Sequence, residues 1–281
     1  MESLFNPNTM AGFYVGSPEK VQAKLHRFAQ AGPDSTYYLF DFDNTLTTSK
    51  HTGEDVSTWT LLHGLLPENG KTEIARLRNK YLPMEIAGSM TEKDALTWWD
   101  SALALYIKYP VYMKDIEAAS KNVRLRDGTT RLFKSCEAAD IPTVILSAGI
   151  SNVIDSIVAR HDIHPSLILS TEFVLGEDGR VLNWDRGSMI HILNKRERGH
   201  TELSRIRSER PYTILVGDAL QDVDMVDGDE HVLRVRMCDL VHQDPAKRDS
   251  YLEQSFAAGF DMVLEEDLEP LILLNQWLVQ R

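Results

Sequence analysis

The most constraining feature of this 281-residue chain is a series of five short, nearly continuous runs of apolar and β-branched residues. Such runs are typical of strands that are covered on both faces in a parallel sheet. Helix-like stretches separate the runs from about residue 124 onward, which predicts an α/β fold with a doubly wound, Rossmann-like parallel sheet. The five runs are TYYLFDFD (36–43), PTVILSAG (142–149), SLILSTEFVL (166–175), YTILVGD (212–218) and EHVLRVRMCD (230–239).

The region between the first two runs breaks this alternation, because it has helical patterns and no convincing strand. Helices are predicted at KTEIARLRNKYL (71–82) and TEKDALTWWDSALALYIKY (91–109), the second opening with a capping-box variant, Thr91 with Asp94. We therefore divide the chain into three parts. They are an N-terminal helix and first core strand (1–48), a mostly helical insertion (49–123) and the remainder of the α/β core (124–281).

Three further helices are predicted from apolar periodicity and from residues typical of helix ends. PEKVQAKLHRFAQAG (18–32) ends at Gly32 and Pro33, and ISNVIDSIVARHD (150–162) begins with a cap at Ser151. The tail LEPLILLNQWLVQR (268–281) is predicted to be an amphipathic closing helix.

The formal charge of −12 argues against a nucleic-acid partner, because such a charge repels polyanions. The densest basic segment, NKRERGHTELSRIRSER (194–210), contains acids at helical spacing and is interpreted as a solvated helix face. The sequence has no run of 18 apolar residues, and its start lacks the features of a secretory signal. We therefore predict a soluble, cytoplasmic protein with no membrane partner.

The two cysteines, Cys136 and Cys238, lie far apart and have no CxxC partner. They are predicted to be buried thiols and to form neither a metal knuckle nor a disulfide framework. The oligomeric state stays open, with a monomer preferred.

Polar residues stand where the predicted strands end. Asp41 and Asp43 close the first run, Ser147 lies near the end of the second, and Asp218 and Asp222 lie at and after the end of the fourth. Ligands of open α/β sheets bind at the carboxyl ends of the strands. The sequence therefore predicts that these side chains form one site.

Carboxylates from separate strand ends, here Asp41 with Asp218 or Asp222, form a good Mg²⁺ site, since Mg²⁺ prefers oxygen ligands. Zinc is disfavoured because the necessary set of His and Cys ligands is missing. With a metal present to neutralise charge, one Asp can attack phosphorus as a nucleophile.

The remaining polar residues complete a set for phosphoryl transfer. Asp43 can protonate the leaving oxygen and later deprotonate the hydrolytic water. Ser147 and the main-chain amides of the segment that includes Ala148 and Gly149 can hydrogen-bond the phosphoryl oxygens. Lys195, in HILNKRE (191–197), supplies the cation that spreads charge in the transition state.

Four segments together resemble the ordered motifs of the haloacid dehalogenase superfamily of phosphohydrolases: DFDNTLT (41–47), ILSAG (145–149), NKRE (194–197) and ILVGDALQD (214–222). The resemblance implies that Asp41 is the nucleophile and Asp43 the acid and base. It also implies that Mg²⁺ is bound by Asp41, Asp218 and the main-chain carbonyl of Asp43. Asp222 is expected to bind the metal or to support its ligands. The insertion at 49–123 then resembles the helical cap of many members.

A narrower resemblance links the chain to the cytosolic type III, pyrimidine-type 5′-nucleotidases. It rests on NKYLPMEI (79–86), LSAGISNVIDSIV (146–158), MIHILNKRE (189–197) and GDALQDVDMVDG (217–228). It implies that Glu85, Trp98 and Trp99 of the cap help to bind the nucleoside. Adjacent residues on a helix point about 100° apart, so one tryptophan is expected to pack and the other to meet the ligand.

The chain departs from the pattern of that family at three positions. Asn44 stands where a hydrophobic residue is usual, and Ala219 and Leu220 stand where Ser and Gln are typical. These differences leave the phosphatase chemistry intact and concern the substrate.

The sequence thus predicts a Mg²⁺-dependent phosphomonoesterase that hydrolyses nucleoside 5′-monophosphates through an aspartyl-phosphate. One alternative is a phosphatase of another small phosphomonoester, such as a phosphoamino acid or a sugar phosphate. The other is a nucleotide-binding protein without turnover. The intact set of Asp41, Asp43, Lys195 and Asp218 argues against the latter.

Overall fold

The centre of the molecule is a mostly parallel β-sheet. The computed structural model describes residues 12–48, 57–238, 245–265 and 267–280. In these ranges the strands are β1 (Phe13–Val15), β2 (Thr36–Phe40), β3 (Thr143–Ile150), β4 (Leu167–Thr171), β5 (Phe173–Leu175), β6 (Val181–Trp184), β7 (Tyr212–Gly217), β8 (Val232–Met237) and β9 (Met262–Leu264). Seven of them form one sheet in the order β1-β9-β8-β7-β2-β3-β4, in which only the β1–β9 pair is antiparallel. The predicted α/β fold class is confirmed.

The central strand β2 is fully buried along its length. Tyr38 and Phe40 pack into the apolar core on one face of the sheet, and Tyr37 and Leu39 pack into the core on the other. Strands β3 and β7 run parallel to β2 on either side of it. The carboxyl ends of these three strands therefore meet at one edge of the sheet.

Helices surround this sheet, and five of those described follow one another between β2 and β3. The α-helices of the described ranges are α1 (Pro18–Ala31), α2 (Thr58–Gly64), α3 (Glu68–Ile86), α4 (Glu92–Lys108), α5 (Met113–Ser120), α6 (Thr129–Ala138), α7 (Ser151–Arg160), α8 (Thr201–Glu209), α9 (Pro245–Ala258) and α10 (Glu269–Val279). The helices predicted at 71–82 and 91–109 are confirmed as α3 and α4. The capping box is also present, because Thr91 and Asp94 each accept the other's main-chain N–H at 3.2 Å.

The structure corrects one strand prediction and adds three short strands. The run SLILSTEFVL (166–175) is two strands, because Glu172 interrupts it and its main-chain N–H donates to the Ser188 hydroxyl at 3.2 Å. The second half, β5, pairs with β6 in a separate antiparallel hairpin. Three short strands of three or four residues, β1, β6 and β9, were not predicted from the sequence.

Three helix predictions also need correction. Ser151 is the first residue of α7 rather than its cap, and its hydroxyl donates to the Ser170 carbonyl at 3.1 Å. The tail forms a helix, but the amphipathic interpretation is wrong because α10 is buried on most sides and only Gln276 and Val279 are exposed within it. Within the basic segment 194–210, the α-helix covers only Thr201–Glu209.

Two predictions from composition can be compared with the described ranges. Cys136 and Cys238 are buried thiols, as predicted. No helix there combines the length and the apolar character that crossing a bilayer requires.

Candidate active site

Three carboxylates meet at the carboxyl edge of the sheet. Asp41 follows β2 directly, and its main-chain N–H donates to the Val216 carbonyl of β7 at 2.9 Å. Asp218 and Asp222 follow the end of β7. Carboxylate oxygens of Asp41, Asp218 and Asp222 all lie within 4.8 Å of one another. Strand pairing therefore brings together acids that are about 180 residues apart in sequence.

The position of Asp222 depends on the end of β7. The chain enters a short 3₁₀ helix (Leu220–Met225), and Asp222 Oδ2 accepts the Ala219 N–H at 3.0 Å. A Cβ atom on Gly217 would lie 2.4 Å from the same oxygen, so only glycine fits there. Ala219 contributes its main chain to this contact, which explains why the site can form without the serine that is typical at that position.

Lys195 links two of the three carboxylates. Its Nζ atom lies 2.5 Å from Asp41 Oδ1 and 2.8 Å from Asp222 Oδ1. Burial alone would lower the pKa of Lys195, but the carboxylates of Asp222 and Asp41 outweigh burial and raise it. The loop holds Lys195 in place, since the N–H groups of Asn194 and Lys195 both donate to the His191 carbonyl at 3.1 Å. Lys195 is therefore a permanent cation at neutral pH.

The acidic group carries more negative charge than Lys195 balances. Burial raises the pKa values of Asp218 and Asp222, and the nearby Asp41 carboxylate raises both further. Lys195 opposes these shifts, but one ammonium group faces three carboxylates. A close set of carboxylate oxygens, without nitrogen or sulfur donors, fits a hard divalent cation rather than zinc.

Asp43 lies outside this group and is held by α2, the first helix described after β2. Its Oδ1 atom accepts the main-chain N–H of Thr58 at 2.8 Å, and its Oδ2 atom accepts the Thr58 hydroxyl at 2.7 Å. Thr58 is buried against Gly149, where a Cβ atom would lie 2.3 Å from the Thr58 hydroxyl oxygen. The insertion therefore contacts Asp43 directly, and glycine at the end of β3 leaves room for that contact.

The end of β3 forms an irregular segment beside these acids. The pairing of β3 with β4 shifts register between Leu146 and Ile150. Within the shift, the buried Ser147 hydroxyl accepts the Gly149 N–H at 3.0 Å, and the Ala148 carbonyl accepts the Trp59 indole N–H at 3.0 Å. The hydrogen bond from Gly149 leaves the Ser147 hydroxyl proton for a ligand.

One cavity of about 410 Å³ contains both the charged residues and side chains of the insertion. All eleven site residues predicted from the sequence line it: Asp41, Asp43, Glu85, Trp98, Trp99, Ser147, Ala148, Gly149, Lys195, Asp218 and Asp222. Their individual roles remain predictions. The lining also brings together the sheet edge and three helices, α2, α3 and α4.

Aromatic rings form the part of the cavity that belongs to the insertion. Trp99 makes edge contacts with Trp59 and Trp98, with ring centroids 5.7 Å and 5.1 Å apart. Trp98 also stacks on Tyr81 at 5.7 Å. Trp99 is buried and Trp98 is half-buried, yet both line the cavity. We expected one ring to pack and the other to face the ligand, but both rings line the cavity.

The sequence profile of the family described as Pyrimidine 5′-nucleotidase (UMPH-1) matches residues 44–280. The chain belongs to the UMPH-1 family. Membership confirms the predicted resemblance and the predicted enzyme class, a phosphoric monoester hydrolase that acts on nucleoside 5′-monophosphates.

Individual relatives agree with this membership. The chain is 29% identical over 269 residues to the 7-methylguanosine phosphate-specific 5′-nucleotidase of Drosophila melanogaster, covering 89% of this chain and 81% of the relative. It superimposes on cytosolic 5′-nucleotidase IIIB bound to cytidine with a TM-score of 0.79 and 23% identity, over 98% and 96% of the two chains. It also superimposes on a phospho-aspartyl intermediate analogue of phosphoserine phosphatase with a TM-score of 0.54 and 14% identity, over 85% of this chain and 97% of the other. Both similarities concern the fold.

Several cavity residues of this UMPH-1 family member were missed by the sequence analysis. Ile74, Arg78 and Leu82 of α3 line the cavity together with Glu85. Their spacing of four, four and three residues puts them on one face of the helix, and this stripe is the signal that could have found them. Thr58 had no such signal, because its contact with Asp43 depends on the path of the intervening chain.

Proposed function

We propose that this protein is a Mg²⁺-dependent phosphomonoesterase that hydrolyses nucleoside 5′-monophosphates to nucleoside and phosphate. The observation that supports the proposal most is a single cavity lined by three close carboxylates and Lys195 as well as by tryptophan rings. The charged part suits a phosphate with a divalent cation, and the rings suit the flat face of a base. A phosphoamino acid or sugar phosphate would leave the aromatic part without a partner.

The reaction that we propose has two steps. First, a carboxylate oxygen of Asp41 attacks phosphorus, and the bond from phosphorus to the nucleoside O5′ breaks. Asp43 gives a proton to O5′ as the nucleoside leaves. Then water attacks the phosphorus of the aspartyl-phosphate, the bond to Asp41 breaks, and Asp43 accepts the proton from the water. Phosphate is released, and both carboxyl groups return to their starting states.

The surrounding residues prepare this chemistry. We propose that Asp41, Asp218 and the main-chain carbonyl of Asp43 hold Mg²⁺, with Asp222 binding the metal or supporting its ligands. When bound, the cation supplies positive charge that offsets the charges of the carboxylates and the phosphate. Lys195 orients Asp41 through the 2.5 Å contact and adds a second positive charge.

The phosphoryl oxygens need hydrogen-bond donors as well as cations. We propose that the Ser147 hydroxyl and main-chain amides of the segment that includes Ala148 and Gly149 supply them, other than the Gly149 N–H that Ser147 accepts. The Gly149 N–H is already bonded to the Ser147 oxygen, so Ser147 is positioned by its own segment before a ligand arrives. Such preorganisation reduces the rearrangement needed as charge develops.

Selection of the base is assigned to the insertion, which we propose acts as a cap over the core. Trp98, Trp99 and Glu85 would contact the nucleoside. Two classes of base are supported by names. The name of the family refers to pyrimidines, and the name of the Drosophila melanogaster relative refers to 7-methylguanosine phosphate. A 7-methylated guanine carries positive charge, which both tryptophan faces and a carboxylate attract.

The location, the partners and the division of the chain are also proposed. We propose a cytoplasmic location, which is supported by the name of the cytosolic 5′-nucleotidase that shares the fold. We also propose that neither nucleic acid nor a membrane is a partner, in line with the charge of −12. The division into residues 1–48, 49–123 and 124–281 is proposed as first core part, cap and second core part.

The test is phosphate release from a panel of nucleoside 5′-monophosphates, including cytidine, uridine, guanosine and 7-methylguanosine, with Mg²⁺ and with EDTA. Phosphoserine, a sugar phosphate and p-nitrophenyl phosphate complete the panel. We expect Mg²⁺-dependent turnover of at least one nucleotide at a higher kcat/KM than of phosphoserine or the sugar phosphate. The proposal is overturned if phosphoserine or the sugar phosphate has a higher kcat/KM than every nucleotide, or if no nucleotide is hydrolysed.

A further inference from the structure

The described segments on the two sides of the insertion are hydrogen-bonded to each other. Thr47 forms an antiparallel bridge with Leu125, and the Thr48 N–H donates to the Arg124 carbonyl at 3.1 Å. The N–H of Arg126, which follows Leu125, donates to the Leu46 carbonyl at 2.8 Å. Arg126 therefore stands where the returning chain meets the segment that carries Asp41 and Asp43.

The side chain of Arg126 is 2% exposed, although arginine is rarely buried unless its donors are satisfied. Its guanidinium group donates to the Asn44 carbonyl at 2.6 Å and to the Thr45 carbonyl at 2.9 Å. A longer contact of 3.4 Å reaches the Glu265 carbonyl beyond β9. One buried cation thus holds the two residues that follow Asp43.

These two residues form a turn with an uncommon backbone conformation. Asn44 has a φ angle of +59°, in the left-handed region that asparagine tolerates better than most residues, and its N–H donates to the Thr47 hydroxyl at 2.9 Å. A hydrophobic residue would be less suited to this angle. The turn also carries Thr45, whose hydroxyl lies 3.4 Å from Asp41 Oδ2 and 3.3 Å from Asp218 Oδ1.

We propose that Arg126 is a positioning residue for phosphoryl transfer, because its guanidinium group fixes the turn at Asn44 and Thr45 and thereby the placement of Asp43. This inference rests on the proposed function. The planar guanidinium group can donate to two carbonyls at once, whereas a lysine ammonium offers one point charge on a flexible stem. The charge of Arg126 alone is therefore insufficient for this role.

Substrates with different leaving groups can distinguish a misplaced Asp43 from a general loss of active-site structure. A nucleoside O5′ needs a proton as it departs, but p-nitrophenolate leaves readily without one. Values of kcat/KM report steps up to the departure of this group. We expect Arg126→Lys to lower kcat/KM by about 30-fold with a nucleoside monophosphate and by about 3-fold with p-nitrophenyl phosphate, within the range of general acid catalysis. The KM for the nucleotide should change by less than about 3-fold, since the cap contacts are untouched.

Two further variants serve as references. Asp43→Asn should lower kcat/KM for the nucleotide, relative to kcat/KM for p-nitrophenyl phosphate, by a larger factor than Arg126→Lys does. Arg210→Lys is the matched control, because Arg210 donates to the Pro33 carbonyl at 3.0 Å at the opposite end of β2. We expect its kcat/KM on both substrates to stay within about 2-fold of wild type, as for most changes away from the site.

If Arg126→Lys does not fold, Asn44→Ala tests the same turn, since alanine tolerates the left-handed region poorly. It should also reduce nucleotide turnover more than p-nitrophenyl phosphate turnover. If the wild-type protein hydrolyses the nucleotide but either variant loses the same factor on both substrates, the role of Arg126 is overturned and the proposed function is intact. Absence of wild-type nucleotide turnover overturns both.

Discussion

The two parts of the cavity are built in different ways. Asp41, Asp218 and Ser147 stand at the ends of adjacent parallel strands, so the hydrogen-bonded sheet fixes their spacing. Trp98 and Glu85 stand on helices of the insertion, which pack on one another through side chains. A sheet edge gives little freedom to the residues that it carries, whereas packed helices can change their side chains without altering the sheet. The charged part is therefore suited to one chemistry and the aromatic part to a choice of base.

The largest expected effect comes from the nucleophile. Asp41→Asn should lower kcat by about 10⁴-fold or more for nucleotides and p-nitrophenyl phosphate alike, because the covalent step is lost for both. Phosphate release measures the loss, and circular dichroism checks that the fold is kept. If Asp41→Asn retained turnover within 10-fold of wild type on either substrate, the strand-end carboxylate would not be the nucleophile.

A second effect concerns the metal. Three close carboxylates destabilise the protein when no cation is bound, so saturating Mg²⁺ should raise the melting temperature by about 5 °C or more. Asp218→Asn should remove most of this shift and lower kcat/KM at fixed Mg²⁺ by about 100-fold, since one carboxylate of the group is lost. Asp100→Asn is a suitable control, because Asp100 pairs with Arg186 outside the acidic group. An unchanged Mg²⁺ shift in Asp218→Asn would argue against a cation at this place.

The sequence could predict the charged part of the site because each of its residues has a fixed place relative to an apolar run. Asp41 follows β2 and Asp218 follows β7, and parallel strands put such positions side by side. The contact between Thr58 and Asp43 could not be predicted, because it depends on the path of the chain through the insertion. The end of β4 was missed for a similar reason, since the turn at Glu172 depends on a hydroxyl from Ser188.

Thr58 tests the boundary between the two parts, since it belongs to α2 but contacts Asp43 of the core. Thr58→Val keeps the side-chain shape and the main-chain N–H but removes the hydroxyl bond to Asp43 Oδ2. The hydroxyl bond orients Asp43 towards the reacting atoms, so its loss should lower kcat roughly 10-fold with little change in KM. Thr72→Val in α3 is the control, because its hydroxyl donates to the Glu68 carbonyl at 2.9 Å outside the cavity. A rise in KM without a fall in kcat would assign Thr58 to binding instead.

The smallest expected effect, and the one most specific to the aromatic part, comes from Glu85. Burial raises the pKa of Glu85 above its ordinary value of 4.5, so the side chain begins to take up a proton at a higher pH than an exposed glutamate would. If this carboxylate binds the base in its charged form, the KM for the preferred nucleotide should rise as the pH falls towards the pKa of Glu85. Glu85→Gln should raise that KM about 5-fold at neutral pH and remove the pH dependence.

p-Nitrophenyl phosphate provides the comparison for this prediction, because it has a phosphate group and no nucleoside. Its KM should change by less than 2-fold in Glu85→Gln, as expected when the charged part of the cavity is unaltered. Trp98→Leu should behave in the same way, since it removes a ring of the cavity wall and leaves the carboxylates in place. Equal changes in KM for the two substrates would mean that the insertion contributes to phosphate binding as well. The contrast between a fixed charged part and an adaptable aromatic part would then have to be abandoned.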